Sequence, residues 1–371
     1  METFFNLVQE VQKPGLCHRC GGCVTFCTAV NYGALELDED GKPRYADMEK
    51  CIECGLCYSI CPEIGEYEEE VKRRAGWSEP NGRIIETTVA RARDPEIREH
   101  ATDGGVVTAM LLRLLETGRI DGAIVARRDD SFLRVPALAT EKDEILEAAG
   151  FFFDTSHGMK RFSDRYVTHS AIEGFGPMMR KGLRRVALVG TPCQIKAYRR
   201  MEAMGVVPSD SVQFCLGLFC SGNFVFKEEQ RNKLAKEQGF SWEAVRKINI
   251  KEQFQVHLEN GKTRTIPLES MDFMKRYACR YCRDYSAEFA DLSFGGIGAA
   301  EGWTTVITRT PLGRAAFADA KEHAVEEFPR SENPAFATEA HAKMRNAAAK
   351  KKKAARQNRR ELGAKPVTLK E

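Results

Sequence analysis

The sequence has no apolar run approaching the roughly 18 to 20 residues of a membrane span, and Met1 to Gln12 lacks the basic start and cleavage site of a signal peptide. A soluble chain is expected. The G-x-G-x-x-G of a dinucleotide fold is absent as well. Cysteine is not scarce. Thirteen in 371 residues would suggest disulfides in a small secreted protein, but this chain is long and its cysteines are spaced as metal ligands are. A reducing cytoplasm follows. At 371 residues there is room for two or three domains with cores of their own. The net charge of +3 hides an asymmetry: Lys343 to Glu371 carries eleven Lys/Arg against two Glu, so this tail is +9 and the remainder −6.

Two near-identical runs hold eight of the cysteines: Cys17-His-Arg-Cys20-Gly-Gly-Cys23-Val-Thr-Phe-Cys27 and Cys51-Ile-Glu-Cys54-Gly-Leu-Cys57-Tyr-Ser-Ile-Cys61-Pro62. Three thiolates at x2 spacing wrap one face of a cubane, and the fourth, on a helix pointing elsewhere, completes the partner cluster. The expected ligands are Cys17, Cys20, Cys23 and Cys61 for one [4Fe-4S], and Cys51, Cys54, Cys57 and Cys27 for the other. Gly21, Gly22 and Gly55 suit the tight loops. Zinc also takes four thiolates, but usually from two separated C-x2-C knuckles. Thr28 replaces the usual proline after Cys27 without touching a ligand.

The fold class expected is α+β and α/β: a bacterial-type two-cluster ferredoxin unit, an α/β core and a basic helical tail. Boundaries are placed at 1–78, 79–165, 166–330 and 331–371. Thr87–Ala92 reads as a strand. Thr102-Asp103-Gly104-Gly105-Val106-Val107-Thr108 then runs into a helix, with Thr102 or Asp103 as cap and the first amides left open to a phosphate or an electron-rich ring. Read alone, such a stretch is a turn and a cap. Val186–Val189 ends in Gly190-Thr191-Pro192-Cys193-Gln194 and opens another helix, the strand, turn, helix grammar of an α/β ligand site. Cys220 ends a strand, Cys279-x2-Cys282 follows a hairpin, and Cys215 reads as a buried structural thiol. From Phe336 to Leu362 no apolar stripe is wide enough for a core. A solvated surface helix is expected there, with a subunit-docking arm as the second reading.

The chain resembles the FrhB/FdhB family, the β subunits of coenzyme F420-reducing hydrogenase and dehydrogenase. The resemblance rests on Thr102–Thr108, Leu115-Glu-Thr-Gly-Arg-Ile-Asp-Gly122, Val189–Gln194, Leu218-Phe-Cys220, Cys279-x2-Cys282 and Gly302-Trp-Thr-Thr305, spanning residues 85 to about 315. It implies FAD in the core and a third [4Fe-4S] on Cys193, Cys220, Cys279 and Cys282. From the residues alone a cluster, a zinc ion and ordinary buried thiols all remain open for these four. The FAD contacts expected are Thr102, Asp103, Gly104, Gly105, Val106, Thr108, Gly190, Thr191, Pro192 and Gln194. Tyr166 joins this cofactor-binding set, and Arg161, Arg165 and Lys196 are candidates to hold its pyrophosphate or a phosphorylated substrate. Asp103 stands where the family often has serine, and Gly296 where an aspartate is common.

The expected function is an iron-sulfur flavoprotein oxidoreductase subunit of the coenzyme F420-dependent type. It passes electrons from a hydride carrier such as reduced F420 through FAD and three [4Fe-4S] clusters to a partner, with no catalytic side chain nominated. The partners implied are redox subunits of hydrogenase, formate dehydrogenase, heterodisulfide-reductase-like or membrane dehydrogenase complexes. Two alternatives keep the fold: a ferredoxin-dependent reductase of an organic substrate, and a non-catalytic relay. A zinc-bearing nucleic-acid module on the basic tail is the third, and no nucleic-acid partner is expected.

Overall fold

The computed structural model describes residues 2–29, 33–38, 41–130, 133–150, 174–206, 209–224 and 228–363. The chain begins with α1 (Phe4–Leu7), where Thr3 and Asn6 cap each other reciprocally, continued by a wider turn through Gln12. α2 (Gly22–Ala29) and α3 (Leu56–Ile60) each follow a cysteine loop, and the hairpin β1 (Leu35–Leu37) and β2 (Pro43–Tyr45) lies between them. The loops repeat in backbone as in sequence. Arg19 and Glu53, each just before the second cysteine of its run, both sit at φ 54°, and Gly21 and Gly55 at 79° and 73°. α4 (Glu68–Ala75) has glutamates in its first turn and arginines in its last, which complements its dipole, and stops at left-handed Gly76.

Strands and helices then alternate: β3 (Glu86–Ala92), α5 (Pro95–His100), α6 (Val106–Glu116), β4 (Gly122–Asp130), β5 (Leu133–Ala139), α7 (Lys142–Glu147), α8 (Phe175–Arg180), β6 (Val186–Gly190), α9 (Pro192–Ala203) and β7 (Val212–Leu218). α10 (Glu228–Gln238) leads into an antiparallel sheet of β8 (Val245–Ile250), β9 (Gln253–Leu258) and β10 (Thr263–Pro267) around Phe254, Val256 and Trp242. The chain then closes with β11 (Leu292–Gly295), β12 (Thr304–Thr308), α11 (Pro311–His323), β13 (Val325–Glu327) and the 26-residue α12 (Phe336–Glu361).

Eight strands form the main sheet in the order β13-β3-β12-β11-β7-β6-β4-β5. β11, β7, β6 and β4 run parallel, and β3 points the same way through antiparallel β12. The sheet is apolar on both faces, which is why β6 reads Val-Ala-Leu-Val without alternation. One face packs on α6, α7 and α11 through Met110, Leu114 and Phe317. The other packs on α9 through Ile195, Tyr198 and Met201, a core that also takes in Phe26 and Ile60 of the cysteine-rich part. No described helix is long and apolar enough to cross a membrane.

Two local expectations differ. α6 starts at Gly105 in the left-handed conformation, with no side-chain cap from Thr102 or Asp103. α12 is not laid loosely on the surface: Ala340, Met344, Ala348 and Ala355 are fully buried, and the helix packs against β3 and β12. Alanine at helical spacing lets backbones approach closely, a stripe too small to read as core from hydropathy.

Candidate functional site

The cysteine side chains gather into three neighbourhoods of four. Cys17, Cys20, Cys23 and Cys61 act electrostatically on one another; burial and then Cys193 and Cys61 push the Cys20 thiol well above its usual range, and burial and then Cys20, Cys17 and Cys61 do the same to Cys23. Burial also raises Cys61 to about 12. Cys27, Cys51, Cys54 and Cys57 line one cavity with Thr3, Phe26 and Ile52, and burial with the neighbouring thiols raises Cys57 to about 12. Cys193, Cys220, Cys279 and Cys282 form the third neighbourhood, where burial and then Cys282, Cys220 and Cys279 raise Cys193. The three neighbourhoods are consecutive: Cys193 acts on Cys20, and Cys57 on Cys23. Among the described residues no three His, Cys, Asp or Glu side chains close around a point that a single metal ion would occupy. Cys215 stands apart, 1% exposed within β7 and facing α9.

The carboxyl ends of the parallel strands place the third neighbourhood. Cys193 follows β6 on the first turn of α9, and Cys220 lies two residues beyond β7. The Asn223 amide donates to Cys279 Sγ (3.3 Å), and Thr191 Oγ1 lies 3.4 Å from Cys193 Sγ. Further along the same edge, Gly104 N–H donates to Thr304 Oγ1 (2.9 Å), holding the Gly104-Gly105 turn at the end of β3. Phe219, next to Cys220, packs so closely over Gly295 at the end of β11 that a β-carbon there would stand 2.2 Å from the ring. α9 mounts the cysteine-rich part on the core: Lys196 and Arg200 pair with Glu68 at 2.9 and 3.6 Å, and Arg200 Nε donates to Ser59 O (2.7 Å).

Models of the coenzyme F420 hydrogenase/dehydrogenase beta subunit match residues 87–162 (N-term) and 183–333 (C terminus), and a 4Fe-4S dicluster domain matches 9–62. The coenzyme F420 hydrogenase subunit beta of Methanosarcina barkeri is 33% identical over 62% of this chain and 77% of its own length. The chain belongs to the coenzyme F420 hydrogenase/dehydrogenase beta subunit family. A chain in the solved F420-reducing [NiFe] hydrogenase complex from Methanosarcina barkeri superposes with a TM-score of 0.65 and 28% identity, over 77% of this chain and 94% of that one. The coenzyme F420-dependent sulfite reductase of Methanocaldococcus jannaschii is 29% identical over 82% of this chain, which spans only 46% of that relative.

The two departures from the family pattern meet in space. A β-carbon on Gly296 would stand 2.6 Å from Asp103 Oδ2, so the carboxylate of residue 103 fills the volume that a side chain at 296 would need. Asn249 Nδ2 donates to Asp103 Oδ1 (2.9 Å) and Lys251 Nζ lies 3.3 Å from it. The sequence reading missed both. Lys247, Asn249 and Lys251 recur at every second residue along and just past β8, and so share a face; that alternation is the signal that marks them.

The remaining predicted contacts fall into separate places. Val106 and Thr108 are buried in the first turn of α6. Thr191 and Gln194 cap α9 reciprocally, Thr191 N–H donating to Gln194 Oε1 (2.9 Å), with Pro192 inside the first turn. Gly190 ends β6, four strand spacings from β3, about 19 Å at the usual spacing. Lys196 is engaged by Glu68. Arg161, Arg165 and Tyr166 lie outside the described residues. α12 contributes groups that sequence reading left out: Lys351 Nζ donates to Cys220 O (2.7 Å) and Asp284 O (2.8 Å), and Arg359 pairs at 2.5 Å with Glu63, itself 3.2 Å from His18.

Proposed function

We infer that this chain is an electron-transfer subunit in which the three thiol neighbourhoods hold three [4Fe-4S] clusters and the Asp103–Gly105 turn takes FAD, with reduced coenzyme F420 or a similar hydride carrier as donor. The observation that carries this reading is the consecutive placement of the three neighbourhoods, with Phe219, next to Cys220, packed on Gly295, and the adjacent Gly296 against Asp103 of the glycine turn. The donor sets fit. Burial and then neighbouring thiols raise Cys23, Cys57 and Cys193, one in each set, and a cationic iron core relieves that repulsion. The turn fits as well: Gly104 lies so close to Ala90 O that a β-carbon would meet it at 2.7 Å, and the amides opening α6 carry no side-chain cap.

When bound, FAD exchanges a hydride with a two-electron carrier while iron-sulfur clusters accept one electron at a time. The chain's own residues supply placement. The Gly104 amide, tied to Thr304, fixes the turn, and Lys251 and Asn249 fix the Asp103 carboxylate beside it. The Asn223 amide directed at Cys279 Sγ stabilises negative charge on that sulfur. Lys196 and Arg200, through Glu68 and Ser59, hold the Cys17 set against the Cys193 set. A redox partner subunit, in a cytoplasmic complex, takes electrons from the Cys51 set, the last in the series.

Protein purified without oxygen should contain about twelve irons and one flavin, and should oxidise reduced F420 with a viologen dye as acceptor. Absence of flavin, or iron well short of that number, would overturn the reading. A second reading, an electron-input unit for a separate reductase, draws on the sulfite reductase relative, of which this chain spans 46%. Sulfite reduction by an added sulfite reductase that proceeds only when this chain and a reduced carrier are both present would favour it.

A further inference from the structure

The four consecutive lysines 350–353 of α12 have four different fates. Lys350 pairs with Glu269 at the surface, Lys352 pairs with Glu288 at 2.6 Å, and Lys353 is exposed. Lys351 alone turns toward the third thiol set. It falls at helical spacing between Met344, Ala348 and Ala355, whose full burial turns this face of α12 inward. Its ammonium donates to two main-chain carbonyls, of Cys220 and Asp284, the first belonging to a thiol residue and the second lying two residues past Cys282.

We propose that Lys351 is a positioning residue for redox potential: its fixed positive charge, carried to the Cys193/Cys220/Cys279/Cys282 site by α12, makes a cluster there easier to reduce. This rests on the reading that those four cysteines hold a [4Fe-4S]. A cluster gains one negative charge on reduction, and a cation held nearby in a partly buried site stabilises the reduced form more than the oxidised form. The Asp284 carboxylate, engaged by the Glu288 N–H at 3.2 and 3.0 Å, carries an opposing charge that offsets part of this effect, whereas the Lys351 ammonium is bonded directly to the Cys220 and Asp284 carbonyls. Charge from the basic tail thereby acts on the redox centre, beyond holding the tail in place.

The test is an EPR-monitored redox titration of anaerobic full-length protein, comparing wild type with Lys351→Gln, Lys351→Arg and the exposed control Lys353→Gln. Lys351→Gln should lower the reduction equilibrium constant of one cluster about tenfold, a shift of about 59 mV to more negative potential, and leave the other two unmoved. Lys351→Arg and Lys353→Gln should titrate as wild type. Loss of about a third of the iron in Lys351→Gln but not in Lys351→Arg also supports the charge requirement. An unmoved midpoint in Lys351→Gln, an equal shift in Lys353→Gln, or cluster loss in Lys351→Arg as well would overturn the proposal. Wild-type protein with only about eight irons would instead remove the third cluster and this proposal with it, and the iron analysis shows that before any variant is made.

Discussion

Asp103 and Gly296 illustrate how two departures from a pattern become one. A carboxylate at 296 finds no room, because Asp103 already occupies that volume and is held by Asn249 and Lys251. Gly296→Asp alone should therefore destabilise the protein by about 1–3 kcal/mol in urea unfolding, from overpacking and two crowded carboxylates. Combined with Asp103→Ser it should recover, with a coupling of about 0.5–3 kcal/mol. Additive effects would show that the two sites are independent. Arg309 poses a different problem at the same scale. It is fully buried and donates to Ser293 Oγ (2.6 Å), Ser286 Oγ (2.9 Å), Asn81 O (2.9 Å) and Arg83 O (3.0 Å). Arg309→Met orphans several of these acceptors at about 1–3 kcal/mol each, a loss that thermal unfolding should register as at least several degrees.

At the scale of elements, α9 and α12 do the joining. α9 carries Cys193 at its start and, one to two turns on, the Lys196 and Arg200 that grip the cysteine-rich part through Glu68. Glu68→Gln leaves Arg200, fully buried, without its counter-charge. Such a loss costs about 3–5 kcal/mol, and the cysteine-rich part should become susceptible to proteolysis well before the main sheet unfolds. Unchanged protease resistance would show that apolar packing of Phe26 and Ile60 suffices. α12 binds from the opposite end of the chain, and burial of Met344 alone contributes about 1.5–3 kcal/mol.

For the whole molecule, the consequence of the proposed function is an ordered path. The Cys17 set lies between the other two, since Cys193 acts electrostatically on Cys20 and Cys57 on Cys23. Replacing Cys20 by serine should remove about a third of the iron and cut electron passage from the core to the Cys51 set. Replacing Cys54 should remove as much iron while the remaining two clusters still exchange electrons. Equal effects of both variants on reduction of the central cluster would contradict the order.

Much of this protein was written locally. Spacing in the two cysteine runs, and the strand, turn, helix grammar after β6, depend on residues a few positions apart, so their geometry follows from the chain itself. The central strands were legible too, because burial on both faces leaves uninterrupted apolar runs such as Val186–Val189. The inward face of α12 was not: its contacts are alanines and one methionine packing on strands more than 30 residues away, and four adjacent lysines look alike until a tertiary surface tells them apart. The same holds for Asp103, read as a helix cap but drawn off by Lys251 and Asn249 across nearly 150 residues of chain. Sequence determined which thiols share a loop; only folding, by bringing strand ends to one edge of a sheet, decided which loops stand beside each other and which charge faces them.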